Sequence, residues 1–208
     1  MVRDNFSKFE SMFREIFQRT LTDAGDSDLH LMTIFSIALA SKSKIYIELG
    51  IRNGSTSLPI SLAAKINGGK HFAVDIEDHG YVCAKELEDV WNFQEMDAID
   101  FLKNWDKSNQ VGFIYLDDWH AYNHVKEELI LIDEMVGPSS IILIHDLMYW
   151  TTPFYHTDLS LEKGQWSKGG PYRAVSELDP NFWEWSTLPW CNGLTILRKK
   201  YSSKFHKK

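Results

Sequence analysis

Residues 45–55 read IYIELGIRNGS: a short apolar run that stops at a glycine, turns, and meets a second glycine before a stretch of helical pattern begins. The isoleucines, tyrosine and leucine of this run have the composition of a buried strand. Gly50 and Gly54 are separated by three residues, and the acid Glu48 precedes the first of them. In an open α/β sheet the turn after the first strand is where ligands bind. Glycines there let the backbone bend sharply and approach a ligand without a Cβ in the way, and the following helix offers unpaired N–H groups.

Downstream of this turn the pattern alternates. A helical stretch at 55–66 is followed by a strand at 70–76, a helical stretch near 82–90 and a short strand at 91–96. The rhythm then repeats with a helix at 98–105, a strand at 111–117, a helix at 124–136 and a strand at 140–146. Alternation of this length predicts a Rossmann-like, doubly wound, mostly parallel sheet with helices on both faces. Upstream, apolar residues at helical spacing predict two helices, at 6–20 and 29–40. After residue 146 a long aromatic segment at 147–170 leads to a helix at 172–178 behind Pro171. Two closely spaced strands follow, at 182–188 and 193–199, which predicts a C-terminal antiparallel pair at the sheet edge. The expected organisation is one domain over 1–208. It has N-terminal helices at 1–42, a ligand-binding core at 43–146, a lid at 147–170, and a helix, strand pair and basic tail at 171–208.

Composition narrows the function. A formal net charge of −7 argues against a broad nucleic-acid surface, because such affinity rests on clustered Lys and Arg. The basic cluster at 198–208 reads as a solvated end. No apolar run approaches the roughly 20 residues of a membrane-spanning helix, and the first residues lack the uninterrupted apolar stretch of a secretory signal. A cytoplasmic location is the expectation. Cys83 and Cys191 lack metal-ligand spacing and read as inert thiols in a reducing compartment.

The glycine spacing departs from the dinucleotide G-x-G-x-x-G, which disfavours an NAD-linked oxidoreductase. A carboxylate beside the turn would repel a pyrophosphate but suits a cofactor with an ammonium group and no phosphate. S-adenosylmethionine is such a cofactor. Asp75, at the end of the next strand, is placed to accept hydrogen bonds from ribose hydroxyls.

The motifs E-L-G-x-x-x-G-S, VDIED, MDAIDFL, IYLDDWHAY and IILIHD occur in this order between residues 47 and 146. The stretch 45–146 resembles the class I S-adenosylmethionine-dependent methyltransferases. Within that group it is similar to small O-methyltransferases and to cephalosporin hydroxylase-like proteins. The resemblance implies that Glu48, Gly50, Gly54 and Ser55 hold the methionine end, that Asp75 holds the ribose, and that Met96, Asp97 and Ala98 border the adenine. Trp119 is a further adenine-pocket candidate.

Strand ends at Asp117-Asp118-Trp119-His120 and His145-Asp146 converge on the ligand edge. Methyl transfer to a hydroxyl calls for a positioned base, and an imidazole titrating near neutrality suits that task. His120 is the first candidate and His145 the second. The metal-dependent members place a divalent cation at positions matching Asp117, His145 and Asp146, where the histidine is a departure, since Mg²⁺ prefers oxygen ligands. Without a metal, Asp117 would face the cofactor's ammonium group and Asp146 would orient an imidazole. His124 and His156, outside any motif, are expected at the surface. Tyr149, Trp150, Phe154, Tyr155 and Trp166 are expected to form a pocket for a small-molecule acceptor. Trp183, Trp185 and Trp190 are expected in core packing or a homodimer interface. The expected activity is methyl transfer to a hydroxyl of a sugar or secondary metabolite; a non-catalytic nucleotide- or S-adenosylmethionine-binding domain is the alternative.

Overall fold

The computed structural model describes residues 2–22, 27–148 and 170–200. The lid aromatics, His156 and the end of the basic tail lie outside them. Two helices come first, α1 (Val2–Thr22) and α2 (Leu31–Ser41), the second entered through a 3-10 turn at Asp28–His30. Strand β1 (Ile45–Leu49) then opens the alternation of α3 (Ser57–Asn67), β2 (Lys70–Asp75), β3 (Trp91–Glu95), α4 (Ala98–Asn104), β4 (Val111–Leu116), α5 (Tyr122–Asp133) and β5 (Val136–Ile144). The chain closes with α6 (Gly170–Ser176), β6 (Trp183–Leu188) and β7 (Leu194–Lys199).

The seven strands form one sheet in the order β3-β2-β1-β4-β5-β7-β6. The first five are parallel, and β7 runs antiparallel between β5 and the edge strand β6. The doubly wound sheet and its antiparallel finish are those expected. Helices cover both faces, so inner strands are apolar in both directions. Ile47 and Leu49 of β1 and Ile114 and Leu116 of β4 pack with α4, α5 and α6. Their alternates Tyr46, Phe113 and Tyr115 pack with α1, α2 and α3. All seven of these strand residues are buried, and full burial of an aliphatic or aromatic side chain of this size contributes about 1.5–3 kcal/mol.

Two local expectations fail. Cys83, Leu87 and Val90 are spaced as in a helix and do pack inward, but Ala84 is extended and only a single 3-10 turn forms at Lys85–Leu87. One turn gains too few hydrogen bonds to propagate. The helix expected to reach residue 136 ends at Asp133, and β5 starts at Val136, where Val111 pairs with it. The register shifts between Val111 and Phe113, which gives Pro138 an irregular place in the ladder where its missing N–H is tolerated.

Sheet order reverses at β1: the chain moves outward through β2 and β3, then returns to place β4 on the other side. Ligands bind at such a switch point, beyond the carboxyl ends of the strands.

Candidate functional site

Parallel register brings four sequence-distant residues into one row. Leu49 is level with Val74 and with Leu116, and Leu116 is level with Ile144. The next residues, Gly50, Asp75, Asp117 and His145, therefore share the sheet's carboxyl edge. Backbone bonds hold them there: Gly50 N–H donates to Val74 O (2.9 Å), Asp117 N–H to Leu49 O (2.9 Å) and His145 N–H to Leu116 O (3.0 Å).

A cleft of about 630 Å³ opens above this row, lined by Gly50, Asp75, Met96, Asp97, Ala98, Asp117, Asp118, Trp119, His120 and His124, together with Arg52, Val74, Ile76, Glu77 and His79. Its volume lies within the range that encloses a small ligand. Five carboxylates against one arginine, Arg52, line it, an environment that favours a cationic group over a phosphate. Asp75 Oδ2 accepts from the N–H groups of Ile51 and Arg52, both at 2.9 Å, and so fixes the glycine turn. Asp97 caps α4, its Oδ1 accepting from Ile99 (2.8 Å) and Asp100 (3.3 Å). Trp119 stands 43% exposed on the cleft wall, a large aromatic face that water still reaches.

At the β4/β5 side of the cleft, Asp117 is the hub of a charged cluster. Its Oδ2 accepts from the Tyr115 hydroxyl (3.0 Å) and the Ser27 hydroxyl (3.2 Å). Its Oδ1 lies 3.3 Å from His120 Nε2 and 3.3 Å from His145 Nδ1. Asp146, held at φ 63° in the left-handed region, repeats the pairing: Oδ2 is 3.2 Å from His120 Nε2 and Oδ1 is 3.0 Å from His145 Nδ1. Burial alone would lower the pKa of both imidazoles, but the carboxylates outweigh it. His120 is raised by Asp117, Asp146 and Asp118, and His145 is raised well above its ordinary value by Asp117 and Asp146. Asp117 in turn is lowered, chiefly by His145 and then His120, although burial opposes this.

Residues 47–147 match the model of the family described as a methyltransferase domain. No curated protein matches the sequence. Residues 47–147 are a methyltransferase domain. The chain's fold is that of several solved methyltransferases. A Podospora anserina methyltransferase bound to SAH is 16% identical, with a TM-score of 0.64 over 91% of this chain and 88% of that one. The O-methyltransferase TomG from Streptomyces achromogenes, involved in tomaymycin synthesis and solved with SAM, is 13% identical, with a TM-score of 0.65 over 91% and 90%. A Bacillus cereus O-methyltransferase with SAH is 12% identical, with a TM-score of 0.60 over 91% of both chains.

In this methyltransferase domain the residues expected at the site divide into two groups. Gly50, Asp75, Asp97, Ala98, Asp117, Trp119 and His120, with Met96, line the cleft. Glu48, Gly54, Ser55, His145 and Asp146 do not. Glu48 shares its strand face with Tyr46, beneath α3, and is fully buried. Its carboxylate accepts from Thr56 (2.5 Å) and Ser57 (2.6 Å) and pairs with His71 Nε2 at 3.2 Å. It anchors the start of α3 from behind the turn. Gly54 packs so closely on Tyr81 that a Cβ would overlap the ring, and Ser55 bonds to Asn53 Oδ1 at 2.9 Å and to Arg19 of α1.

The surface expectation for His124 is corrected. Its side chain is 8% exposed, lines the cleft, and bonds Asp118 Oδ2 at 2.8 Å. The first turn of α5 points it back at the β4 loop. Behind it lies Glu128, fully buried, with a pKa raised well above the ordinary carboxylate value by burial and then by Asp118. No motif marks either residue; the helical spacing of His124 and Glu128, four apart, is the signal that joins them.

A hard divalent cation at Asp117, His145 and Asp146 does not fit this arrangement. Asp117 Oδ2 is taken by two hydroxyls while its Oδ1 faces two imidazole nitrogens, and Asp146 Oδ1 is buried without a hydrogen-bond partner among the described residues. Asp117, His120 and Asp146 bring one donor atom each within 4.8 Å of one another, a set in which an imidazole stands among the oxygens. His145 presents Nδ1 to the carboxylates as a partner for them, not as a third ligand beside them. Imidazole in the donor set favours a transition metal over Mg²⁺, which prefers oxygen.

Proposed function

We propose that the cleft binds S-adenosylmethionine and that the protein transfers its methyl group to a hydroxyl of a small molecule, with His120 as general base. The observation that carries this reading is His120 itself: it is the group that both lines the cleft and bridges Asp117 and Asp146. When bound, the cofactor supplies an electrophilic methyl group on a sulfonium. The residues present suit it: Gly50 and Asp117 for the methionine end, Asp75 for the ribose, and Met96, Ala98, Asp97 and Trp119 around the adenine.

His120 lies against the two carboxylates through Nε2, and its imidazole is the group that takes the acceptor's hydroxyl proton. Proton uptake leaves an imidazolium at His120 that Asp117 and Asp146 stabilise. His145, 1% exposed beneath this pair, positions the carboxylates and does not meet the acceptor. Nothing in this scheme calls for a divalent cation.

The test is turnover. The full-length protein is incubated with methyl-labelled S-adenosylmethionine and a panel of hydroxylated sugars and aromatic metabolites, in the presence of a chelator. The expected product is an acceptor heavier by one methyl group together with S-adenosylhomocysteine. Cofactor binding with no turnover across the panel favours the non-catalytic binding domain instead, and turnover abolished by the chelator and restored by Mg²⁺ but not by Zn²⁺ overturns the metal-free scheme.

A further inference from the structure

On the other side of His145 lies a second cluster that the methyl-transfer scheme leaves unused. The strand alternation that puts Leu143 on the α2 face also puts His145 there, against His30 of the 3-10 turn. The two rings meet edge to face with centroids 5.6 Å apart. The β6–β7 turn closes the group with Cys191. One nitrogen of each imidazole and the Cys191 Sγ all lie within 4.8 Å of one another.

Both imidazoles are oriented in the same manner. His30 Nε2 bonds the Trp190 carbonyl at 2.9 Å, and His30 Nδ1 is buried without a hydrogen-bond partner. His145 Nδ1 faces Asp117 and Asp146, and His145 Nε2 is likewise buried, with the Cys191 thiol beside the ring. A histidine whose one nitrogen is held by a carbonyl or carboxylate while the other is kept from water is the arrangement of a metal ligand with its outer shell in place. The turn that carries the thiol is held in a strained form: Cys191 and Asn192 have φ of 52° and 61°. Met148 N–H, just past β5, donates to the Asn192 carbonyl at 2.7 Å. Strain maintained by its surroundings clusters at functional sites.

We propose that His30, His145 and Cys191 form a site for zinc. Two imidazoles and a thiolate are a borderline-soft donor set that suits Zn²⁺ and not Mg²⁺ or Ca²⁺. In a tetrahedral shell with bonds of about 2.0–2.3 Å, three protein ligands leave one position for water or a donor atom of another molecule. The ion would tie the N-terminal layer, the end of β5 and the β6–β7 turn together, and would fix His145 with its Nδ1 toward Asp117 and Asp146. Uptake displaces the ligands' protons and so releases them to solvent. The proposal stands independently of the methyl-transfer reading, because its readout is the metal.

The experiment strips the full-length protein with a chelator under reducing conditions and titrates it with Co²⁺ and with Zn²⁺. Expected are one equivalent bound, the visible spectrum of a tetrahedral cobalt site and a thiolate-to-cobalt charge-transfer band. Cys191→Ser removes the band, and Cys83→Ser keeps it. His30→Gln weakens zinc binding by more than the roughly 10–100-fold that an outer-shell loss costs, and Asp117→Asn weakens it within that range. Failure to take up either metal, or a charge-transfer band that survives Cys191→Ser, overturns the proposal. Binding lost in Asp117→Asn but unchanged in Cys191→Ser also overturns it, by placing the ion among the carboxylates. If His30→Gln does not fold, the near-isosteric Cys191→Ser carries the test alone.

Discussion

His120→Ala lowers kcat for methyl transfer by about a hundred- to ten-thousand-fold, the range that loss of a positioned general base produces. The effect is expected in kcat, with a much smaller change in cofactor affinity, because in the proposed scheme His120 takes the acceptor's proton while Asp75, Trp119 and the glycine turn hold the cofactor. The pH profile separates catalysis from packing. A base acts when deprotonated, and the carboxylates raise the pKa of His120 above its ordinary value of 6.5 despite burial. Wild-type kcat therefore climbs with pH through a midpoint above 6.5, and activity is low where the ring stays protonated. Residual activity in His120→Ala loses this limb. The same raised pKa makes His120's own contribution to stability fully present below its ordinary value of 6.5 and lost as pH rises through the higher folded-state value. Steady-state kinetics across pH, with His120→Gln as a second variant that keeps a polar side chain, checks the profile, and denaturant unfolding of wild type and variant across pH checks the stability. An unchanged profile in either variant removes His120 from the role of base.

Gly50→Ala is the second large effect. Gly50 has φ +84°, and a Cβ there would meet the Asp117 carbonyl oxygen at 2.4 Å and Asp118 Cα at 2.7 Å. These are backbone atoms, which cannot swing aside as a side chain does. The left-handed conformation costs a non-glycine residue about 1–2 kcal/mol, and forcing extra volume into a packed contact adds about 1–3 kcal/mol. The β1 turn and the β4 loop must part, which moves Asp117, Asp118 and Trp119 together. The variant is expected to lose cofactor binding and to melt on the order of 10 °C lower. Gly80→Ala is the control: Gly80 also has positive φ, at 74°, but nothing lies within 4 Å of its would-be Cβ, so it pays for conformation alone. Equal losses at the two positions would show that backbone conformation, and not the closeness of the β1 and β4 loops, is what glycine supplies.

The fold was legible because burial on both faces leaves its mark on every inner strand. Residues 45–49 and 140–144 read as strands without any alternation to interpret. The glycine turn and the strand-end acids were legible because the switch point of a parallel sheet dictates where they must stand. What local sequence does not carry is which face a polar residue joins and what meets it there. Glu48 alternates with Ile47 and Leu49, but only the assignment of α3 to that face shows that Thr56, Ser57 and His71 occupy its carboxylate. Ser27 reaches Asp117 across 90 positions and Trp190 reaches His30 across 160. Such pairs are fixed by tertiary packing and leave no periodicity behind. His124 and Glu128 were obscured differently, since a histidine and an acid in a charged helix resemble a solvated face until the β4 loop is placed over them.

The central claim is that the cleft at Gly50, Asp75 and Trp119 holds S-adenosylmethionine. Isothermal titration of the full-length protein with that cofactor tests it most directly. The predicted result is saturable binding of one molecule per chain, weakened roughly tenfold or more in Trp119→Ala, as expected when an aromatic face that stacks on a base is removed. No detectable binding up to about a millimolar, the upper end of common substrate affinities, or binding indifferent to Trp119→Ala, would contradict it.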